Sequence, residues 1–415
     1  MSLSVRKNVT SGAPAALVSL ALLTAGCAGQ DDDASSPKGG STASATPHGY
    51  VEGAQEAAEQ QSRLVLNDPG TGDTRVLDLI TGRTHGVSRT AGAAELTTDG
   101  RFGYFHTADG IRVLDGGAWT VDHGDHAHYY RAAIRDAGRF PAGPGARVRG
   151  DAAVTAVTGE DGRAVIHRRA ESEKGRAGSP RALPGTHAGA VVPYAEHLLA
   201  LTDDGKGTPK AAVYDREGGR VASPDAGCED PAGDAVTRRG VVFGCADGAL
   251  LIGEDDGRFT AERIPYGDDV PAGERASSFR HRAGSDTLTA PAGDRAVWVL
   301  DVTERAWTRV ETGPVIAANT AGEGSPLLVL ETDGALHGYD VATGEQVART
   351  GRLLTGNRRT DAGGGGPVIE VDRSRAYVND PEGGRVYEID HNDGLRIART
   401  FDLDMEPALM AETGR

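Results

Sequence analysis

Apolar residues in this chain come in short runs, and each run is cut off by a turn. Leu327 to Leu330 is followed by the turn pair Asp333-Gly334 and then by His337-Gly338-Tyr339-Asp340. Ala376-Tyr377-Val378 turns through Pro381 to Gly384 into Val386-Tyr387-Glu388-Ile389-Asp390. Alternation inside such segments, with Gly and Pro between them, predicts strands and tight turns. No long amphipathic helical stretch stands out. The unit recurs: related segments end at Asp78, Asp115, His167, Asp215, Ile252, Asp301, Asp340 and Asp390, at intervals of 37 to 52 residues. A four-stranded propeller blade takes roughly 40–50 residues. The pattern predicts an all-β chain folded as a β-propeller, with eight blades as the first count and seven as the alternative.

Length and composition agree. A chain of 415 residues is too long for one small core, and its 59 glycines and 20 prolines suit a repeat architecture of many short strands. The first 26 residues break the pattern and read as an export signal: Arg6 and Lys7 form a basic start, Ala15 to Leu23 an apolar run, and Thr24-Ala25-Gly26 precede Cys27. The apolar run is too short for a permanent membrane span. Small residues directly before a cysteine look like a lipobox, which makes Cys27 the lipidated first residue of the mature protein; the alternative is an ordinary secretory signal cut elsewhere. From Cys27 to residue 47 the chain has too little bulky apolar surface to fold and is expected to be a flexible tether. The expected organisation is a lipoprotein signal over 1–26, a lipidated tether over 27–47 and a propeller over 48–415, held at the membrane by the anchor alone.

With Cys27 assigned to lipid, Cys228 and Cys245 remain in a protein exported to an oxidising compartment, and a disulfide between them is expected. A pair of metal thiolates is the alternative, although no nearby CxxC spacing supports it. The net charge of −16 excludes a polyanionic partner such as nucleic acid, which needs a basic stripe. A cation is the more natural ligand.

One stretch carries candidate chemistry. In Trp119-Thr120-Val121-Asp122-His123-Gly124-Asp125-His126-Ala127-His128-Tyr129-Tyr130, three of the twelve histidines fall within six residues, interleaved with two carboxylates. Imidazole nitrogen and carboxylate oxygen are the usual non-thiolate ligands of zinc. On an extended strand His126 and His128 project to one face roughly 7 Å apart. His123 is then expected on the other face unless a turn at Gly124 brings it or Asp125 round. A solvated polar edge strand is the bland alternative. His85, His167, His197, His337 and His391 stand alone in strand or turn contexts and read as structural or surface histidines.

The Trp119 to Tyr130 run, with His48-Gly49-Tyr50-Val51-Glu52-Gly53, Val242-Phe243-Gly244-Cys245-Ala246-Asp247-Gly248 and Arg375 to Phe401, resembles the AztD-type zinc metallochaperones. These are exported β-propellers that accompany a zinc ABC transporter and give zinc to its solute-binding protein. The resemblance implies that His123, Asp125, His126 and His128 form the metal-binding group, with His187 as a further ligand and His281 as a fainter candidate. Where the family tends to show histidine and glutamate after the first of its cysteines, this chain has Glu229-Asp230-Pro231-Ala232-Gly233-Asp234, and its Arg149-Gly150-Asp151 turn has no histidine. Asp234 or Asp151 would then substitute as oxygen donors. No nucleophile elbow, HExxH or Gly-rich phosphate loop supports an enzyme. The expectation is a monomeric, non-enzymatic zinc carrier; the alternative is a lipid-anchored propeller that binds envelope proteins without specific metal binding.

Overall fold

The structure, a computed structural model, describes residues 49–123, 126–356 and 365–415. The expectations for the signal, for the tether and for Cys27 fall outside these residues. Strands dominate, and the described helices are a single turn at Arg169–Ser172 and a 3-10 turn at Ala272–Glu274.

Each blade is a small antiparallel meander. Blade 3, from the inside outward, runs Arg147–Gly150, Val154–Thr158, Ala164–Arg168 and Arg181–Leu183, and blades 4, 5, 7 and 8 repeat that order. In blade 2 the order is Glu95–Thr98, Phe102–Thr107, Gly110–Asp115 and Arg135–Phe140. Blade 6 has three full strands, Thr287–Pro291, Ala296–Asp301 and Ala306–Glu311; its inner strand is reduced to Arg280, which exchanges both backbone hydrogen bonds with Thr289. Blade 1 is built from both ends of the described chain. Leu409–Thr413 is its inner strand, paired with Arg63–Asn67 from Arg63 opposite Thr413 to Asn67 opposite Leu409.

Burial explains why the middle strands read as continuous apolar runs. A strand inside a blade is covered on both faces by the neighbouring blades. Leu64 and Leu66 pack on Tyr377 and Val386 of blade 8, while Val65 between them packs on Leu96 and Phe105 of blade 2. Apolar clusters of this kind fill all eight consecutive blade interfaces and so close the ring. Outer strands such as Gln346–Arg352 are mostly exposed. The eight sequence landmarks all fall in or directly after the third strand of a blade, and eight is the blade count. Many landmark aspartates cap the following turn: Asp78, Asp301 and Asp340 each accept a backbone N–H two or three residues on, at 2.8–2.9 Å.

The inner strands surround a channel of about 900 Å³, with walls from every blade, from Ala411 in blade 1 through Arg280 in blade 6 to Glu370 in blade 8. Among the described residues no helix is long and apolar enough to cross a membrane.

Cys228 and Cys245 are joined in a disulfide that ties the approach to the inner strand of blade 5 to the end of its second strand. The bond spans 17 residues. Replacing both cysteines by serine is expected to lower unfolding free energy by about 3 kcal/mol through the lost restraint on the unfolded chain, read from urea denaturation of the two proteins.

Candidate metal centre

Between the third and fourth strands of blade 2 the chain leaves the blade at Asp115 and returns at Arg135, and these two residues face each other across the sheet. A buried ion pair fixes this point. Arg101 grips Asp115 through two hydrogen bonds of 2.9 and 3.1 Å, with side-chain exposures of 1% and 0%. The Gly117 N–H and the Arg135 guanidinium add bonds to the same carboxylate at 3.0 and 3.4 Å. A carboxylate out of water is tolerated because its lone pairs are taken up in this way. The Arg101 guanidinium also lies 3.8 Å from the ring centre of Trp119, the second residue of the excursion's first strand.

The excursion is a β-hairpin. Ala118–Asp122 pairs with Ala127–Arg131, in a register running from Ala118 opposite Arg131 to Asp122 opposite Ala127. His123 N–H donates to the His126 carbonyl at 2.9 Å, which continues the pairing to the end of the hairpin. Residues opposite each other in an antiparallel pair share a face, as do residues two apart on one strand. His123 lies opposite His126, and His126 and His128 are two apart, so all three imidazoles fall on one side. Of the two sequence expectations for His123, the far face of one continuous strand or a reversal that brings it round, the second holds: the parity of a single continuous strand does not survive the chain reversal. The ring centres are 4.9, 5.1 and 5.4 Å apart, and one ligand nitrogen from each lies within 4.8 Å of the others. His123 and His126 are exposed and His128 is half-buried.

A third strand, Gln55–Ala57, adds to the hairpin by pairing with Tyr129 to Arg131. It carries Glu56, whose Oε1 lies 2.7 Å from His128 Nδ1. A carboxylate on Nδ1–H fixes the tautomer and leaves Nε2 with its lone pair outward, the arrangement that orients a ligand histidine. The same N-terminal segment is pinned by Trp119, which donates its indole N–H to the Gly49 carbonyl at 3.1 Å. Gly49 has φ +77°, and a Cβ there would lie 2.3 Å from Val121 Cγ2, so the close approach requires glycine. On the hairpin's other contact, the Thr120 hydroxyl donates to the Gly414 carbonyl at 3.0 Å.

The remaining sequence candidates lie elsewhere. Asp125 is outside the described residues. His187 is buried where blades 3 and 4 meet, with Nδ1 3.1 Å from the Gly162 carbonyl and Nε2 without a partner; burial lowers its pKa. The structure does not bring it to the hairpin imidazoles. His281 stands at the channel and donates from Nε2 to the Val236 carbonyl. Its pKa is lowered to about 4, mainly by burial and further by Arg415, Arg282 and Arg149. Asp234 is held by the Arg149 guanidinium, and Asp151 by Arg216 at 2.8 Å and by backbone N–H groups of its own turn. Sequence reasoning missed Glu56, for which there is no local signal: 72 residues separate it from His128.

Fold and site together define an eight-bladed propeller with an exposed imidazole cluster on a hairpin set into its second blade. No family model and no curated protein matches the chain. Solved structures do: AztD from Citrobacter koseri superposes with a TM-score of 0.69 at 20% identity, over 85% of this chain and 98% of that one. Apo AztD from the same organism gives 0.68 at 19%, with the same coverage. The dihydro-heme d1 dehydrogenase NirN aligns at 0.52 and 14%, over 86% of this chain and 76% of its own. The chain has the AztD-type propeller fold.

Two substitutions test how the site is built. Glu56→Gln is expected to weaken any divalent-metal binding at the three imidazoles roughly 10- to 100-fold with the imidazoles unchanged, measured by chelator competition with zinc as the probe; unchanged affinity would mean that the carboxylate does not orient His128. Arg101→Met strands the buried Asp115 charge and is expected to cost about 3–5 kcal/mol in a denaturant melt.

Proposed function

We propose that the protein is an extracytoplasmic zinc metallochaperone, lipid-anchored at Cys27 on the outer face of the cytoplasmic membrane. In this reading it works as a monomer and delivers zinc to the solute-binding protein of an ABC transporter. The observation that carries the reading is the convergence of His123, His126 and His128 on one face of an exposed hairpin. Three neutral imidazoles suit zinc, and three protein ligands leave a position open. Asp125, next to His126 in the sequence, is the candidate for that position on this chain. The AztD-type fold and the resemblance of the Trp119 to Tyr130 run support the same conclusion. Fold alone does not decide it, since NirN shares the propeller.

Delivery needs a site that binds and also lets go. A buried four-ligand site adds to fold stability and releases its ion slowly. Here two of the imidazoles face solvent, so a docked partner can offer its own ligands to zinc one at a time while His128, braced by Glu56, holds on longest. The acidic surface raises local cation concentration. Transfer in this scheme is ligand exchange, without a catalytic nucleophile or turnover.

Zinc titration of the purified protein against a competing chelator tests this, in parallel with the double variant His126→Ala, His128→Ala. The wild type is expected to bind tightly and the variant to lose that binding while staying folded, and loaded wild type is expected to pass zinc to the solute-binding protein. Equal weak binding by both proteins would leave the hairpin a polar edge and favour an envelope interaction module.

A further inference from the structure

A second group of metal-ligating side chains lies in blade 7. Leu327–Glu331 and Ala335–Tyr339 form its second and third strands, joined by the Asp333-Gly334 turn, and Val329 is opposite His337. Glu331 is two residues beyond Val329 and so shares the face of His337. Ligand atoms of Glu331, Asp333 and His337 lie within 4.8 Å of one another.

The hydrogen bonding around these three side chains is lopsided. Glu331 Oε1 accepts from the Gly313 N–H at 3.0 Å and from the Tyr339 hydroxyl at 2.5 Å. Oε2 accepts no hydrogen bond from any described residue; its near neighbour is His337 Nε2 at 3.6 Å. The side chain is only 7% exposed, and no described Lys or Arg pairs with it. Gly313 keeps the space beside Oε2 open, because a Cβ there would lie 1.8 Å from that oxygen. His337 Nδ1 is 2.8 Å from the Gln346 Oε1 acceptor. Donation from Nδ1 leaves the Nε2 lone pair of a neutral ring directed at the Glu331 carboxylate and at Asp333 Oδ2, 3.1 Å away. A lone pair facing two carboxylates, one of them buried, is repulsive until a cation sits between them.

We propose that Glu331, Asp333 and His337 form a binding site for a first-row divalent cation, separate from the hairpin. Two carboxylate oxygens and one imidazole nitrogen suit zinc or manganese. Arg349, which bonds Asp333 at 2.7 Å and is half exposed, swings out to solvent when the ion enters. The site takes one ion and does not depend on the hairpin reading, which supplies a second ion on its own terms. The competing arrangement is an imidazolium shared between the two carboxylates, which needs no ion.

Equilibrium dialysis against zinc, and separately against manganese, tests it on the purified protein. Four forms are compared: wild type, the His126→Ala, His128→Ala variant, Glu331→Gln, and all three substitutions together. The expected result is that Glu331→Gln removes one bound ion in either background, and that the hairpin variant keeps one ion which Glu331→Gln then abolishes. Asp333→Asn, at a more exposed position, is expected to do the same and covers the case in which Glu331→Gln does not fold. A folded hairpin variant that binds neither metal overturns the proposal, as does an unchanged count in folded Glu331→Gln or Asp333→Asn. Failure of the hairpin reading looks different: there the His126→Ala, His128→Ala change would leave the count as it was.

Discussion

The buried pair of Arg101 and Asp115 is the constraint on which the site rests. A carboxylate with no exposure survives in the ring because two guanidiniums and a backbone N–H saturate it. It sits where the chain leaves blade 2 and where it returns, so the same charges that fill the blade also clamp the root of the hairpin. From there the coupling runs outward. Arg101 lies over Trp119, Trp119 holds Gly49, and the strand that follows Gly49 brings Glu56 to His128. The imidazoles are exposed, but the frame beneath them is built of fully buried groups such as Tyr130.

Much of the ring was legible in the sequence for a physical reason. Strands covered on both faces must be apolar throughout, and an aspartate after a third strand supplies the acceptor that the next turn needs. Both marks recur at blade spacing. The inner strand of blade 6 was not legible, because one residue, Arg280, is all that remains of it. In the candidate site the three histidines were visible as a cluster, while the choice between the two faces for His123 was left open. Strand parity along a sequence holds only until the chain turns back, and the turn falls between His123 and His126. Glu56 was invisible because sheet pairing, and not sequence proximity, brings it in. His337 was read as a lone histidine although Glu331 and Asp333 stand just upstream of it across an Asp-Gly turn; their nearness follows from hairpin register.

The two halves of the hairpin's character serve opposite needs. Convergent ligands must be held still, or the entropy of ordering them is lost from affinity. Under the proposed carrier role the ion must also be reachable. Here order comes from the root of the hairpin, through Arg101, Trp119 and Tyr130 on the same face as the imidazoles, and access comes at its tip, where His123 and His126 face solvent.

The closure of blade 1 bears on when the site comes into being. Its inner strand, Leu409–Thr413, pairs with Arg63–Asn67 from far back along the chain, and Gly414 just beyond it receives the Thr120 hydroxyl of the hairpin. Glu56 precedes the strand that Leu409–Thr413 completes. The hairpin and its brace therefore gain their full support only once the ring has shut. Damage at the blade 1 closure is thereby transmitted to the imidazole cluster, so the ring's closing seam and its exposed site share one fastening.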